Sequence, residues 1–162
     1  MTSSTNDFTP ETNTDPFTLL IRVRYGECDA QQVVFNARYG DYVDLAATEF
    51  MRACIGGYQA LLESGYDNQV VRLLTEWQAP ARFDDVLALQ VSVGHLGNTS
   101  FRLDVHIANQ NSGQTVATSE VTYVLLDAKT FEKTPIPLNL KQRLEQGGKG
   151  LVADQSHVAG AL

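Results

Sequence analysis

Apolar and polar positions alternate along residues 17–25. Phe17, Leu19, Ile21, Val23 and Tyr25 share one face, with Arg22 and Arg24 on the other. A period of two carried by β-branched and aromatic side chains predicts a strand. A loop follows over residues 26–32, then the short apolar run Val33, Val34 and Phe35. Asn36 suits a helix N-cap, because its side-chain oxygen can accept a first-turn N–H. Beyond it Tyr39, Val43, Ala46, Phe50 and Cys54 recur at three- and four-residue steps, while Asp41, Asp44, Thr48 and Arg52 face away. That spacing predicts an amphipathic helix of about five turns, ended or bent by Gly56 and Gly57. Residues 58–63 read as one or two further helical turns, stopped at Gly65.

The next stretch is strand-like. Val71, Leu73, Thr75 and Trp77 alternate within residues 70–79, and Pro80, which cannot donate to a ladder, marks an edge or bulge. Leu87, Leu89, Val91 and Val93 line one face of residues 86–96. Gly97, Asn98 and Thr99 form a hairpin signal, and Phe101, Leu103, Val105 and Ile107 mark the returning strand. A turn at residues 111–113 leads to a last long strand over 116–127, and Pro135 and Pro137 block further sheet. Residues 138–146 suit a short helix. One long apolar helix face and one antiparallel sheet must bury each other, which predicts an α+β fold with the sheet wrapped around the helix. We therefore expect a flexible tail over residues 1–16, one domain over 17–146 and a second flexible tail over 147–162.

Composition narrows the function. Twelve Lys and Arg stand against nineteen Asp and Glu, a net charge of −7, which argues against nucleic-acid binding by bulk charge. No apolar run approaches the ~20 residues needed to span a bilayer. The first sixteen residues lack the basic start and apolar core of a secretory signal and the arginines of a transit peptide, so a cytoplasmic location is expected. Cys28 and Cys54 match no zinc or redox spacing and are read as free thiols. There is no nucleophile-elbow motif, and no phosphate-binding glycine pattern follows a strand. His95 and His106 fall in strands and His157 in the tail, so no metal and no cofactor is expected.

The stretch that carries chemistry joins the first strand to the long helix. Asp29 lies seven residues before Asn36, where the helix is expected to start. The first N–H groups of a helix lack intrahelical acceptors and sit at the positive end of its dipole. Such a terminus stabilises negative charge developing on an oxygen. A carboxylate facing it can attack a polarised carbonyl or activate water against one.

Asp29, Val33, Val34, Phe35 and Tyr39 fall in register with a motif in which an Asp precedes two valines, an aromatic residue and a Tyr. The pattern resembles the hotdog-fold acyl-CoA thioesterases of the 4-hydroxybenzoyl-CoA thioesterase type. Residues 79–85, 97–101 and 116–127 look similar to that family as well, so the resemblance spans about residues 17–137. It implies that Asp29 is the catalytic nucleophile or general base, and that the backbone N–H at Asn36 faces the thioester oxygen. It also implies that Tyr25 lines the site; Phe35 and Tyr39 are further candidate substrate contacts, Tyr39 being equally readable as a core side chain. Some hotdog thioesterases use a helix carboxylate instead, for which Glu49 is the candidate. The family's sheet pairs with that of a second copy, with the acyl-CoA site at the interface, so a homodimer or homotetramer is implied. The family's glycine is Gln32 here and its frequent histidine is Asn36. The second change removes a side-chain acid or base but keeps a backbone donor. These changes keep a non-catalytic acyl-CoA-binding dimer in view. A hotdog dehydratase ranks lower, because its histidine near the helix start has no counterpart before His95.

Overall fold

The helix and the sheet take the shapes that their apolar stripes require. The computed structural model describes residues 13–157. In chain order the elements are β1 (Phe17–Arg22), a one-turn 3-10 helix (Tyr25–Glu27), α1 (Arg38–Ile55), α2 (Tyr58–Glu63), β2 (Tyr66–Trp77), β3 (Val86–Leu96), β4 (Ser100–Asn109), β5 (Thr115–Asp127), α3 (Leu138–Gln146) and β6 (Val152–Gln155). The strands form one sheet in the order β2-β5-β4-β3-β1-β6. All neighbours run antiparallel except β1 and β6.

The helix α1 buries Tyr39, Tyr42, Val43, Ala46, Ala47, Phe50, Met51 and Ile55. These recur at the steps of one helical face. That face meets the inward side chains of β1, β3, β4 and β5, including Leu19, Leu87, Leu89, Leu103, Ile107 and Leu125, each fully buried. Phe50 packs edge-on against Phe17 with ring centroids 6.0 Å apart. The result is the α+β hotdog arrangement, a sheet curved around one long helix.

Three boundaries differ from the sequence expectation. The helix starts at Arg38, and Ala37 takes the cap position with no side-chain hydrogen bond. The Phe35 carbonyl accepts the Arg38 N–H at 2.9 Å and the Asn36 carbonyl the Tyr39 N–H at 3.3 Å, so residues 35–37 form a turn into the helix and Asn36 is not a side-chain cap. Strand β2 begins at Tyr66, because β5 pairs with it from Asp127 onward. Residues 147–157 are not a free tail. Glycines at positive φ (Gly147 61°, Gly148 58°, Gly150 76°) turn the chain back from α3, a conformation that L side chains rarely adopt. The Gly150 N–H then bonds the Asp15 carbonyl at 2.8 Å, and β6 pairs in parallel with β1. Arg22 Nε donates to the Ser156 carbonyl at 3.1 Å beyond its end. Residues 1–12 and 158–162, the outer parts of the expected tails, lie outside the described residues.

The loop between β1 and α1 is a narrow hairpin. Cys28 and Val34 form an isolated bridge. The Asp29 N–H donates to the Val33 carbonyl and the Gln32 N–H to the Asp29 carbonyl, both at 2.9 Å. The Val34 N–H ties the loop to the Ala81 carbonyl at 2.8 Å. Gln32 sits at φ 62°, so the loop keeps a left-handed residue without a glycine. That conformation costs a residue with a Cβ about 1–2 kcal/mol. Glycine removes the strain but adds ~0.4–1 kcal/mol of unfolded-chain entropy. Gln32→Gly should therefore raise the unfolding free energy by up to ~1 kcal/mol, and Gln32→Val should lower it by about 1 kcal/mol or more, read from urea midpoints.

Candidate active site

The hairpin holds Asp29 in a defined pose without neutralising it. Its Oδ1 accepts the Gln31 N–H at 2.8 Å, an Asx turn that fixes the side chain against its own loop. The carboxylate is half-buried, and among the described residues no Lys, Arg or His forms an ion pair with it. Its second oxygen makes no hydrogen bond to any described group. At the other end of the hairpin the backbone N–H groups of Asn36 and Ala37 have no acceptor among the described residues. The Asn36 side chain is exposed. The loop thus carries one under-occupied carboxylate and, where the chain turns into α1, two free donors.

Aromatic side chains surround this loop. Tyr25 is 81% exposed and meets Phe83 edge-on at 6.0 Å. Phe35 is 47% exposed. Trp77, at the end of β2, is half exposed and packs edge-on against Tyr39 at 5.8 Å. Tyr39 itself is 2% exposed and packs behind Trp77, as its core reading expects. Burial pushes the Tyr39 hydroxyl up to about 12. Phe83 was not singled out from the sequence. The only signal for it is an aromatic residue in the polar turn of residues 79–85.

The structure does not bring Glu49 to this place. It lies eleven residues beyond Arg38 on α1, about 16 Å along the helix axis, and pairs with Arg52 Nε at 3.3 Å. Arg102 is engaged by Asp104 at 2.8 Å. Both cysteines are free thiols, and burial pushes Cys54 up to about 11. Among the described residues no cluster of three or more His, Cys, Asp or Glu side chains could hold a metal ion. No described helix is long and apolar enough to cross a membrane. A cavity of about 580 Å³ lies elsewhere, between the bulged end of β3 and the end of α3 around His95, Glu145 and Lys149.

One neighbour of Asp29 is unlike the rest. Glu27 is 7% exposed. Its Oε1 accepts the Arg24 N–H at 2.7 Å and the Tyr42 hydroxyl at 3.1 Å, and its Oε2 accepts Arg24 Nη2 at 3.0 Å. Burial disfavours its charge, but the donors from Arg24 and Tyr42 outweigh that and hold its pKa below the ordinary carboxylate value. Nothing in the residue pattern marked Glu27 as buried.

Comparison with known proteins agrees with the fold. The family model of the thioesterase-like superfamily matches residues 23–144. An acyl-CoA thioester hydrolase, YbgC, of Escherichia coli is 29% identical over 134 residues, covering 83% of this chain and 99% of that protein. The long-chain acyl-CoA thioesterase FadM of Escherichia coli is 28% identical over 126 residues, covering 78% of this chain and 95% of that protein. The crystal structure of YbaW, a probable thioesterase from Escherichia coli, superimposes with a TM-score of 0.73 at 27% identity, covering 82% of this chain and 98% of that one. With a matching model over most of its length, a hotdog architecture and an aspartate loop feeding the central helix, the chain belongs to the thioesterase-like superfamily and is a thioester hydrolase.

Proposed function

We propose that the protein hydrolyses an acyl- or aroyl-CoA thioester to the free acid and CoA, with Asp29 as general base or nucleophile and the Asn36 backbone N–H as oxyanion donor. The observation that supports this reading is that one hydrogen-bonded loop presents both groups with capacity left open: a carboxylate oxygen of Asp29 with no described partner, and an Asn36 N–H with no described acceptor. In the general-base route Asp29 takes a proton from water as the water oxygen bonds to the thioester carbon. The carbonyl oxygen gains negative charge and accepts the Asn36 N–H. Collapse of that intermediate breaks the C–S bond, and the thiolate of CoA leaves and is protonated. In the nucleophile route the Asp29 oxygen bonds to the same carbon, expels the thiolate, and water then cleaves the mixed anhydride. Tyr25, Phe35, Trp77 and Phe83 offer apolar surface to the pantetheine arm and the acyl group. The relatives named for acyl-CoA hydrolysis support the choice of CoA ester.

A second copy of the chain belongs to this reading. Strand β2 is an open edge, and Val70, Val71, Leu73, Leu74 and Trp77 stand exposed along it. An apolar, unpaired edge strand is a template for pairing and aggregates unless covered. The opposite edge is already occupied by β6. A two-fold pairing through β2 covers the exposed residues of both copies with one interface, and it brings the partner's edge beside Trp77, next to the aspartate loop. Tetramers formed from such dimers fit the same reading.

Asp29→Asn should lower kcat/KM for acyl-CoA by ~10²–10⁴-fold in a thiol-release assay while the fold and oligomer persist; wild-type turnover would remove Asp29 from the mechanism. Asn36→Ala keeps the backbone donor and should stay close to wild type, whereas Asn36→Pro should lose ~10²–10³-fold in kcat. A Val71→Lys/Leu73→Lys variant should sediment as a monomer where the wild type sediments as a dimer or tetramer. An unchanged sedimentation mass would place the interface elsewhere.

A further inference from the structure

The two reacting groups of the proposed site do not touch each other. Asp29 sits on one strand of the hairpin and the Asn36 N–H follows the other, and the hairpin's own rungs set only their order. Beyond the tie to Ala81 and the turn into α1, one buried side chain links the hairpin to the second turn of the helix. Through its backbone, Glu27 accepts the Phe35 N–H at 2.9 Å, immediately before the Asn36 donor. Through its carboxylate it accepts the Tyr42 hydroxyl, which projects from the second turn of α1. It stands two residues before Asp29. One residue is therefore bonded to the strand that carries the base, to the strand that carries the donor and to the helix.

Its energetics are unusual for a core position. Glu27 is the one charged side chain buried among the described residues, the other buried polar groups being Ser119 and Ser156. Desolvating a carboxylate costs several kcal/mol, and replacing a buried ionic group with an apolar side chain of similar volume is often neutral or stabilising. Fold stability alone does not call for a carboxylate here. Arg24, its only ionic partner, has a side chain 77% exposed, so that pair adds little. The Tyr42 bond is enclosed and directional. Burial raises the Tyr42 pKa far above neutrality, so its hydroxyl always donates and the carboxylate always accepts.

We propose that Glu27 is a positioning residue for thioester hydrolysis: bonded to Tyr42 and to the Phe35 N–H, it sets the gap between the Asp29 carboxylate and the Asn36 N–H in which the thioester carbonyl must fit. The inference rests on the reading of Asp29 as base or nucleophile. Glu27 does not contact substrate, and its effect falls on the reacting geometry rather than on binding of the CoA portion. A misplacement of about 1 Å can cost on the order of 10²-fold in rate.

The test uses the full chain and thiol release from acetyl-, octanoyl-, palmitoyl- and benzoyl-CoA, followed on whichever ester the wild type turns over best. Tyr42→Phe removes one hydroxyl from the clamp and should lower kcat ~10-fold, with KM changed by less than about twofold. Glu27→Ala should lower kcat ~10²-fold, and Glu27→Gln, which keeps an acceptor for Tyr42, should recover part of that loss. The double variant Glu27→Ala/Tyr42→Phe should be no slower than Glu27→Ala, because both changes break the same contact. Rates are referred to the folded oligomer, measured by circular dichroism and sedimentation. If Glu27→Ala does not fold, Tyr42→Phe and Glu27→Gln carry the test. Wild-type kcat in Tyr42→Phe and Glu27→Gln, or a rise in KM with kcat unchanged, would overturn the proposal. Asp29→Asn separates the two ideas. If Asp29→Asn turns over like wild type, the reading of the site fails. If it is inactive while the Glu27 and Tyr42 variants are not, only the positioning role fails.

Discussion

The burial of one face of α1 governs the molecule. Eighteen residues of helix make a rod about 27 Å long, and its apolar stripe must be covered on more than one side. A flat sheet cannot do this. The sheet curves instead, helped by register shifts between Val70 and Arg72, between Val93 and His95 and between Ile107 and Ala108. Bulges of this kind increase the local twist and bend a strand. Once the helix lies in the concavity, its amino terminus must be reached by a loop from the end of β1. That loop has to return across the sheet's end, and it does so as the hairpin of residues 28–34, pinned to Ala81. That one loop carries both Asp29 and the free N–H groups at the start of the helix thus follows from how the core is closed.

The two edges of the sheet have different fates for a related reason. β1 is a short strand of six residues and pairs with β6 along four of its positions. β2 is twice as long, carries apolar side chains on both faces, and pairs with β5 on one side only, with no described strand on the other. An apolar edge of that length would be a liability in an isolated protomer. On the proposed pairing, a second copy of the same edge would cover it and bring a foreign surface to the Trp77 end of the strand.

Much of this was legible in the residues. β1 and β4 alternate strictly, β3 and β5 carry an apolar alternation with extra buried positions at their ends, and α1 buries one stripe, so each appears at nearly its observed bounds. The start of β2 was missed because residues 66–69 are mostly polar and join the sheet through pairing with β5 rather than through burial. β6 was missed for the same reason: Val152, Ala153, Asp154 and Gln155 make an edge strand whose side chains are mainly exposed, after a glycine turn that reads as a flexible end. Within the candidate site, Tyr25, Asp29, Phe35 and Asn36 all fall in the segment that joins β1 to α1. Tyr39 is in the first turn of α1, and its side chain packs into the core beside Trp77 and Tyr42. Burial of a single loop side chain depends on contacts with distant segments, which local pattern does not carry, and Glu27 was invisible on that account.

Glu27 and Asp29 show how the same functional group takes two roles two residues apart. At Glu27 both oxygens are filled by donors, three in number, and the charge is enclosed. A carboxylate with three donors on it and little exposed surface is poorly placed to meet a water or a carbonyl carbon, and its pKa is held below the ordinary carboxylate value. At Asp29 one oxygen is held by the Gln31 N–H and the other is left without a described partner. The held oxygen orients the group, and the free one remains able to take a proton or form a bond. Neighbours separate the tasks of paired carboxylates by giving each a different environment. Here the separation is made by hydrogen bonds rather than by distance, and on the proposed mechanism the filled carboxylate braces the loop from which the open one would act.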